Sequence, residues 1–123
     1  MDVKKLDDLE IYKFAIELSR LTWQVFEKLP YLHKCHQGYQ FLDAVDSVGA
    51  NIAEGFGRYT KKDKINFYRY SFGSLKESQD WTEKAKIRKL LTLPEYNTIM
   101  GELQKLPLEL NSLIKFTNSR LTI

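Results

Sequence analysis

The sequence predicts an all-α chain, an antiparallel up-down four-helix bundle that assembles with copies of itself. Three observations carry this. Apolar residues recur at helical spacing in four successive segments, separated by short stretches rich in Gly, Pro and Thr. No segment alternates apolar and polar residues in the manner of a half-buried strand. The first and third segments each carry two apolar sectors, more than the single stripe a surface helix needs, so part of that surface should face another chain. Short connections imply that consecutive helices are antiparallel neighbours.

Helix 1 is expected over about 8–29, with Asp7 or Asp8 as N-cap and Pro30 just beyond its end. Glu10, Lys13, Glu17, Arg20, Gln24, Glu27 and Lys28 share one polar arc. Ile11, Phe14, Leu18, Leu21, Val25 and Leu29 form one apolar sector, and Tyr12, Ala15, Ile16, Trp23 and Phe26 an adjoining one. Residues 30–37 read as a connection.

Helix 2 is expected over 38–57 and ends in the stretch around which the chain is organised, Ala50-Asn51-Ile52-Ala53-Glu54-Gly55-Phe56-Gly57-Arg58. Phe41, Val45, Val48, Ile52 and Phe56 fall on one face; Ser47, Asn51, Glu54 and Arg58 fall on the other. Glu54 and Arg58 are an i,i+4 acid-to-base pair in the favourable order. Gly55 and Gly57 supply the freedom to stop the helix and turn the chain.

Thr60-Lys61-Lys62-Asp63 has the form of a capping box and opens helix 3, expected over 61–91. Ile65, Tyr68, Phe72 and Leu75 form one sector; Phe67, Tyr70, Ser74, Trp81 and Ala85 form the second. Ser71, Ser74 and Ser78 are small enough for close helix approach, or for hydrogen bonds to the polar stripe of helix 2. Thr92-Leu93-Pro94-Glu95 opens helix 4, expected over 94–118, whose apolar face is Tyr96, Ile99, Met100, Leu103, Leu110, Leu113 and Ile114. Pro107 lies inside that pattern and should kink the helix without ending it, because the stripe continues in phase.

Composition bounds the rest. The chain has 123 residues, 43% hydrophobic and 28% charged, the range of one domain with its own core, here 1–123. A single cysteine, Cys35, excludes an intramolecular disulfide and fits a reducing compartment. Met1-Asp2-Val3-Lys4-Lys5-Leu6-Asp7-Asp8 has no apolar signal core, and no run approaches a membrane span. A cytoplasmic protein without membrane attachment is expected. The net charge of +3 is unevenly spread: residues 58–91 hold ten basic and four acidic residues, while 35–57 hold three acids and no Lys or Arg. That basic excess is the segment in which a polyanion-facing surface would lie.

Catalysis has little to stand on. Asp43 and Asp46 read as a solvated face, and Arg58 one turn from Glu54 favours its ionised form. No glycine-rich phosphate loop follows a strand, and no nucleophile has a partner base. No enzymatic activity and no cofactor are expected. His33, Cys35 and His36 are the one metal-capable cluster, but without a fourth ligand they read as a loop with an incidental thiol, so no metal is expected. The stripe Ser47, Asn51, Glu54, Arg58, with Gly55 and Gly57, reads as a structural network that sets register, or else as a contact patch. The best functional lead is basic: Arg58, Lys61, Lys62 and Lys64 around the turn, with Arg69 beyond, interleaved with Tyr59, Phe67, Tyr68 and Tyr70, which stack on unpaired bases where exposed. A second group, Lys84, Lys86, Arg88 and Lys89, suits the C-terminal dipole of helix 3.

Asn51-Ile52-Ala53-Glu54-Gly55 followed by Gly57-Arg58, with Phe72-Gly73-Ser74-Leu75-Lys76-Glu77 about a helix later, resembles the four-helix-bundle family of 23S rRNA intervening-sequence proteins. The resemblance extends to the Leu9-Glu10-Ile11-Tyr12 start and the apolar last helix. It implies an all-helical, non-enzymatic protein and a homo-oligomeric ring, most simply a pentamer. Distant relatives accompany the reverse transcriptases of diversity-generating elements. This chain departs from the pattern in one place: the family's often basic stretch before the central motif is here Phe41-Leu42-Asp43-Ala44-Val45-Asp46, so a nucleic-acid role loses support from that surface. The expected function is a non-catalytic assembly that binds RNA or a nucleic-acid-processing partner through the basic turn. The alternative is a protein-protein scaffold whose basic turn is solvated surface.

Overall fold

A computed structural model describes residues 5–123. The first half of the expected signal-free start, residues 1–4, lies outside the described residues, as do the first positions of the 1–123 domain. The described residues are helical, with no strand among them. Four long helices carry the fold: α1 (Glu10–Lys28), α2 (Tyr39–Phe56), α3 (Lys61–Ile87) and α4 (Leu93–Arg120). Each packs on two neighbours, in the closed order α1, α2, α3, α4 and back to α1.

Contacts fix the directions. Ala15 early in α1 lies against Gly49 late in α2, and Phe26 late in α1 lies against Gly38 just before α2. The Ser71 hydroxyl of α3 donates to the Val48 carbonyl of α2 at 2.8 Å. The Lys61 N–H at the start of α3 donates to the carbonyl of Ile123, beyond the end of α4, at 2.6 Å. Lys28 at the end of α1 pairs with Glu95 at the start of α4 at 2.6 Å. Neighbouring helices therefore run in alternate directions around one core, in which Leu18, Val45, Ile52, Leu75, Leu103 and Leu106 are fully enclosed.

A polar seam runs through that core. Thr22, Ser78, Thr82 and Thr117 are buried, and each hydroxyl donates to the carbonyl four residues back in its own helix. Each is thus satisfied locally while its small side chain permits close helix approach. Among the described residues, no buried side-chain nitrogen or oxygen lacks a partner.

Several boundaries differ from expectation. Asp7 and Asp8 do not cap α1; they lie in a 3-10 turn, Leu6–Asp8, and Leu9 is the capping position. The stretch 30–37 is not an open connection: a helical turn, Tyr31–His33, and a π-helical segment, Lys34–Gly38, lead directly into α2. The Tyr39 N–H donates to the Lys34 carbonyl, five residues back. Gly38 is buried there against the Phe26 ring, which would stand 3.1 Å from a Cβ at this position.

Helix α3 stops at Ile87, four residues before the expected end. Lys89 turns left-handed at φ 60, and the Leu90 N–H bonds back to the Ala85 carbonyl at 2.9 Å, a Schellman stop without glycine. Helix α4 begins at Leu93 with a complete Thr92–Glu95 capping box and runs through Pro107 to Arg120. Leu106 and Leu110 are buried on either side of that proline, which is how packing holds the helix together across it.

Candidate nucleic-acid interface

The α2–α3 turn is where the central motif and the first basic cluster meet. Gly57 ends α2 at φ −79, and no glycine among the described residues has positive φ. The expected use of Gly55 and Gly57 for left-handed backbone freedom is therefore corrected. Gly55 is buried within the helix because a Cβ would lie 2.7 Å from the Tyr68 ring and 3.0 Å from the Lys64 carbonyl. The glycine is there for closeness of α2 to α3. Thr60 caps α3 by accepting from the Asp63 N–H at 3.2 Å.

The five basic residues expected to form one patch do separate things. Lys64 is half-buried; its ammonium donates to the Phe56 carbonyl at 2.6 Å and lies over the Phe56 ring. Burial holds its pKa below the ordinary lysine value. It thus closes the C-terminus of α2, where a cation complements the dipole, although it sits in the first turn of α3, where one would oppose it. Arg58 pairs with Glu54 at 2.7 Å and lies 4.6 Å from the centre of the Phe67 ring. Lys61 is half-buried; its backbone N–H ties the turn to the Ile123 carbonyl at 2.6 Å, and its ammonium makes only a long, solvent-exposed contact of 3.5 Å to the Asn118 carbonyl. Lys62 and Arg69 are exposed and make no side-chain hydrogen bond or ion pair among the described residues.

The polar stripe of α2 also divides. Ser47 and Asn51 are half-buried, and the Asn51 amide donates to the Ser47 carbonyl of its own helix at 2.9 Å. Glu54 and Arg58 are solvent-exposed. The serines of α3 do not bond the side chains of this stripe: Ser71 takes the Val48 backbone carbonyl, and Ser78 takes that of Ser74. No inter-helix side-chain network joins Ser47, Asn51, Glu54 and Arg58 among the described residues.

Tyr68 is buried and Phe67 lies half-buried under Arg58, while Tyr59 and Tyr70 are 77% and 58% exposed. Those two are the aromatics available to a base. Lys76 completes what the cluster in sequence obscured: Lys62, Arg69 and Lys76 are all exposed and spaced by seven residues along α3. Such a repeat keeps three cations on one face, roughly 10 Å apart. The seven-residue spacing was the available signal. His33 is half-buried, Cys35 and His36 are exposed, and among the described residues no three metal-capable side chains gather. No helix of the described residues is long and apolar enough to cross a membrane.

Comparison with known proteins points in one direction. A family model described as 23S rRNA-intervening sequence protein matches residues 7–112. A crystal structure of a protein of unknown function, from the S23 ribosomal protein family of Bacteroides thetaiotaomicron, superposes with a TM-score of 0.78 at 21% identity. The match covers 85% of this chain and 97% of that one. No curated protein matches the chain.

Proposed function

The chain belongs to the 23S rRNA-intervening sequence protein family, and on that premise we propose that it is a non-catalytic four-helix-bundle subunit of a homo-oligomer that binds RNA, or an RNA-processing protein, through the α3 face. The observation that carries this is the exposed row Lys62, Arg69 and Lys76 on α3, with Tyr59 and Tyr70 exposed on the same stretch of chain. Cations at regular spacing engage phosphates without reading sequence, and exposed tyrosines stack on unpaired bases. Self-association is supported by α1 and the start of α2, where Ile16, Trp23 and Tyr39 are 51%, 49% and 53% exposed. A ring, by analogy a pentamer, repeats the cationic row once per subunit and makes weak single-site attraction multivalent. The protein is cytoplasmic on this reading and needs no cofactor.

A protein-protein scaffold is the second reading, favoured by the engagement of Arg58, Lys61 and Lys64 within the fold itself. Retention of single-stranded RNA by the purified protein across a salt series separates the two. Phosphate contacts weaken steeply with salt; absence of salt-dependent retention leaves the scaffold.

A further inference from the structure

At the end of the molecule opposite the α2–α3 turn lies an open cleft of about 400 Å³, formed by the end of α1, the segment after Pro30 and the α3–α4 link. Its rim carries Lys28, His33, Arg88 and Lys89, brought together from three stretches of chain. Val25, Leu29 and Leu90 supply apolar wall. One carboxylate, Glu95, borders it and is already committed: it accepts from Lys28 at 2.6 Å and from the Thr92 N–H at 2.9 Å. The Arg88 guanidinium donates to the neutral Gln37 amide oxygen, so its charge meets no acid among the described residues. Lys89 is exposed, without an ion pair there, and holds the single positive φ of a non-glycine residue among those described. Glycine is the residue that conformation favours; a lysine there carries a backbone cost and contributes an ammonium at the cleft.

We propose that this cleft binds the phosphate monoester of a nucleotide, with Arg88 as the planar fork, Lys89 as a point charge, and the nucleoside against Val25, Leu29 and Leu90, while Lys28 stays paired with Glu95. Its source is either a free mononucleotide or the 5′-phosphate end of an RNA strand. The site is independent of the α3 row and stands or falls without it.

The test is calorimetric titration of the full-length protein with AMP, adenosine, and a short oligoadenylate carrying either a 5′-phosphate or a 5′-hydroxyl. At least one phosphorylated probe should bind about tenfold or more tightly than its unphosphorylated counterpart, the scale of losing charge-assisted hydrogen bonds. AMP binding on its own identifies the free nucleotide; preference confined to the phosphorylated strand identifies the RNA end. Arg88→Gln and Lys89→Gly should each weaken the preferred probe about tenfold. Lys89→Gly also relieves the left-handed backbone, so its melting temperature should not fall, and lost binding cannot be ascribed to misfolding. Lys62→Glu/Arg69→Glu should leave AMP binding unchanged. If phosphorylation makes no difference to either probe, or if Lys89→Gly binds as the parent does, the proposal is overturned.

Discussion

The ring of Tyr68 occupies the space that a side chain at position 55 would need: a Cβ built on Gly55 stands 2.7 Å from the Tyr68 Cε1. The Lys64 carbonyl closes the other side at 3.0 Å. Gly55→Ala should therefore destabilise the protein by about 1–3 kcal/mol, the usual cost of overpacking. Gly73→Ala should do the reverse. Nothing lies within 4 Å of a Cβ there, and an alanine at an exposed position in mid-helix gains about 0.5–1 kcal/mol over glycine. Urea midpoints of the two variants should move in opposite directions.

Ser71 is fully enclosed and its hydroxyl bridges α3 to the Val48 carbonyl of α2. Ser71→Ala leaves that contact empty and should cost about 1 kcal/mol. Asn51→Leu should cost less, within about 0.5 kcal/mol, because the half-buried Asn51 amide bonds only to its own helix. Chemical denaturation of both, with equal costs or the reverse ranking, would refute this assignment of roles.

Burial pushes the Tyr68 phenol up from 10.0 to about 12. Between those values the unfolded chain has released a proton that the folded chain still holds. The unfolded state then binds fewer protons, and stability falls as pH rises through that window. The contribution is fully present below pH 10 and is lost by about pH 12, on the order of 1–3 kcal/mol. Surface lysines titrate in the same range, so the check is a difference: the loss between pH 9.5 and 11.5 should be smaller in Tyr68→Phe than in the parent.

Ile16 and Trp23 lie two turns apart on α1 and remain about half exposed, at 51% and 49%. Light scattering at micromolar concentration should show a discrete species well above the 14.5 kDa of one chain. Ile16→Glu/Trp23→Glu should lower that mass while leaving helical content intact. A clean monomer for the parent removes the oligomer from the proposal.

Lys62→Glu/Arg69→Glu should reduce RNA affinity across unrelated sequences and make the salt slope shallower by about two. Oligomer size should not change, since both side chains are exposed. Lys61→Glu is a poorer probe, because Lys61 also meets the Asn118 carbonyl. Unaltered RNA binding by the double variant sinks the α3-face assignment.

The helices were legible in the sequence because local chemistry specifies them. Periodicity of Ile11, Leu18 and Val25, or of Ile99, Leu103 and Leu110, marks a buried stripe whatever packs on it, and Thr60 and Thr92 mark helix starts through bonds to residues three positions on. The asymmetric charge of 58–91 was likewise a property of the chain. What each cation does was decided only in three dimensions. Lys64 went to the end of α2, Arg58 to Glu54 and Phe67, and Lys61 to the end of α4, because the turn sets them beside carbonyls and rings that neighbour them in space. The purpose of Gly55 was hidden for the same reason: a glycine permits both a left-handed turn and a close approach, and only the Tyr68 ring tells them apart. The early stop of α3 rests on Lys89, a residue with no local signal for the left-handed conformation it adopts. Local propensity selects a helix; the partner across the core selects which of its faces, and which of its charges, stay free.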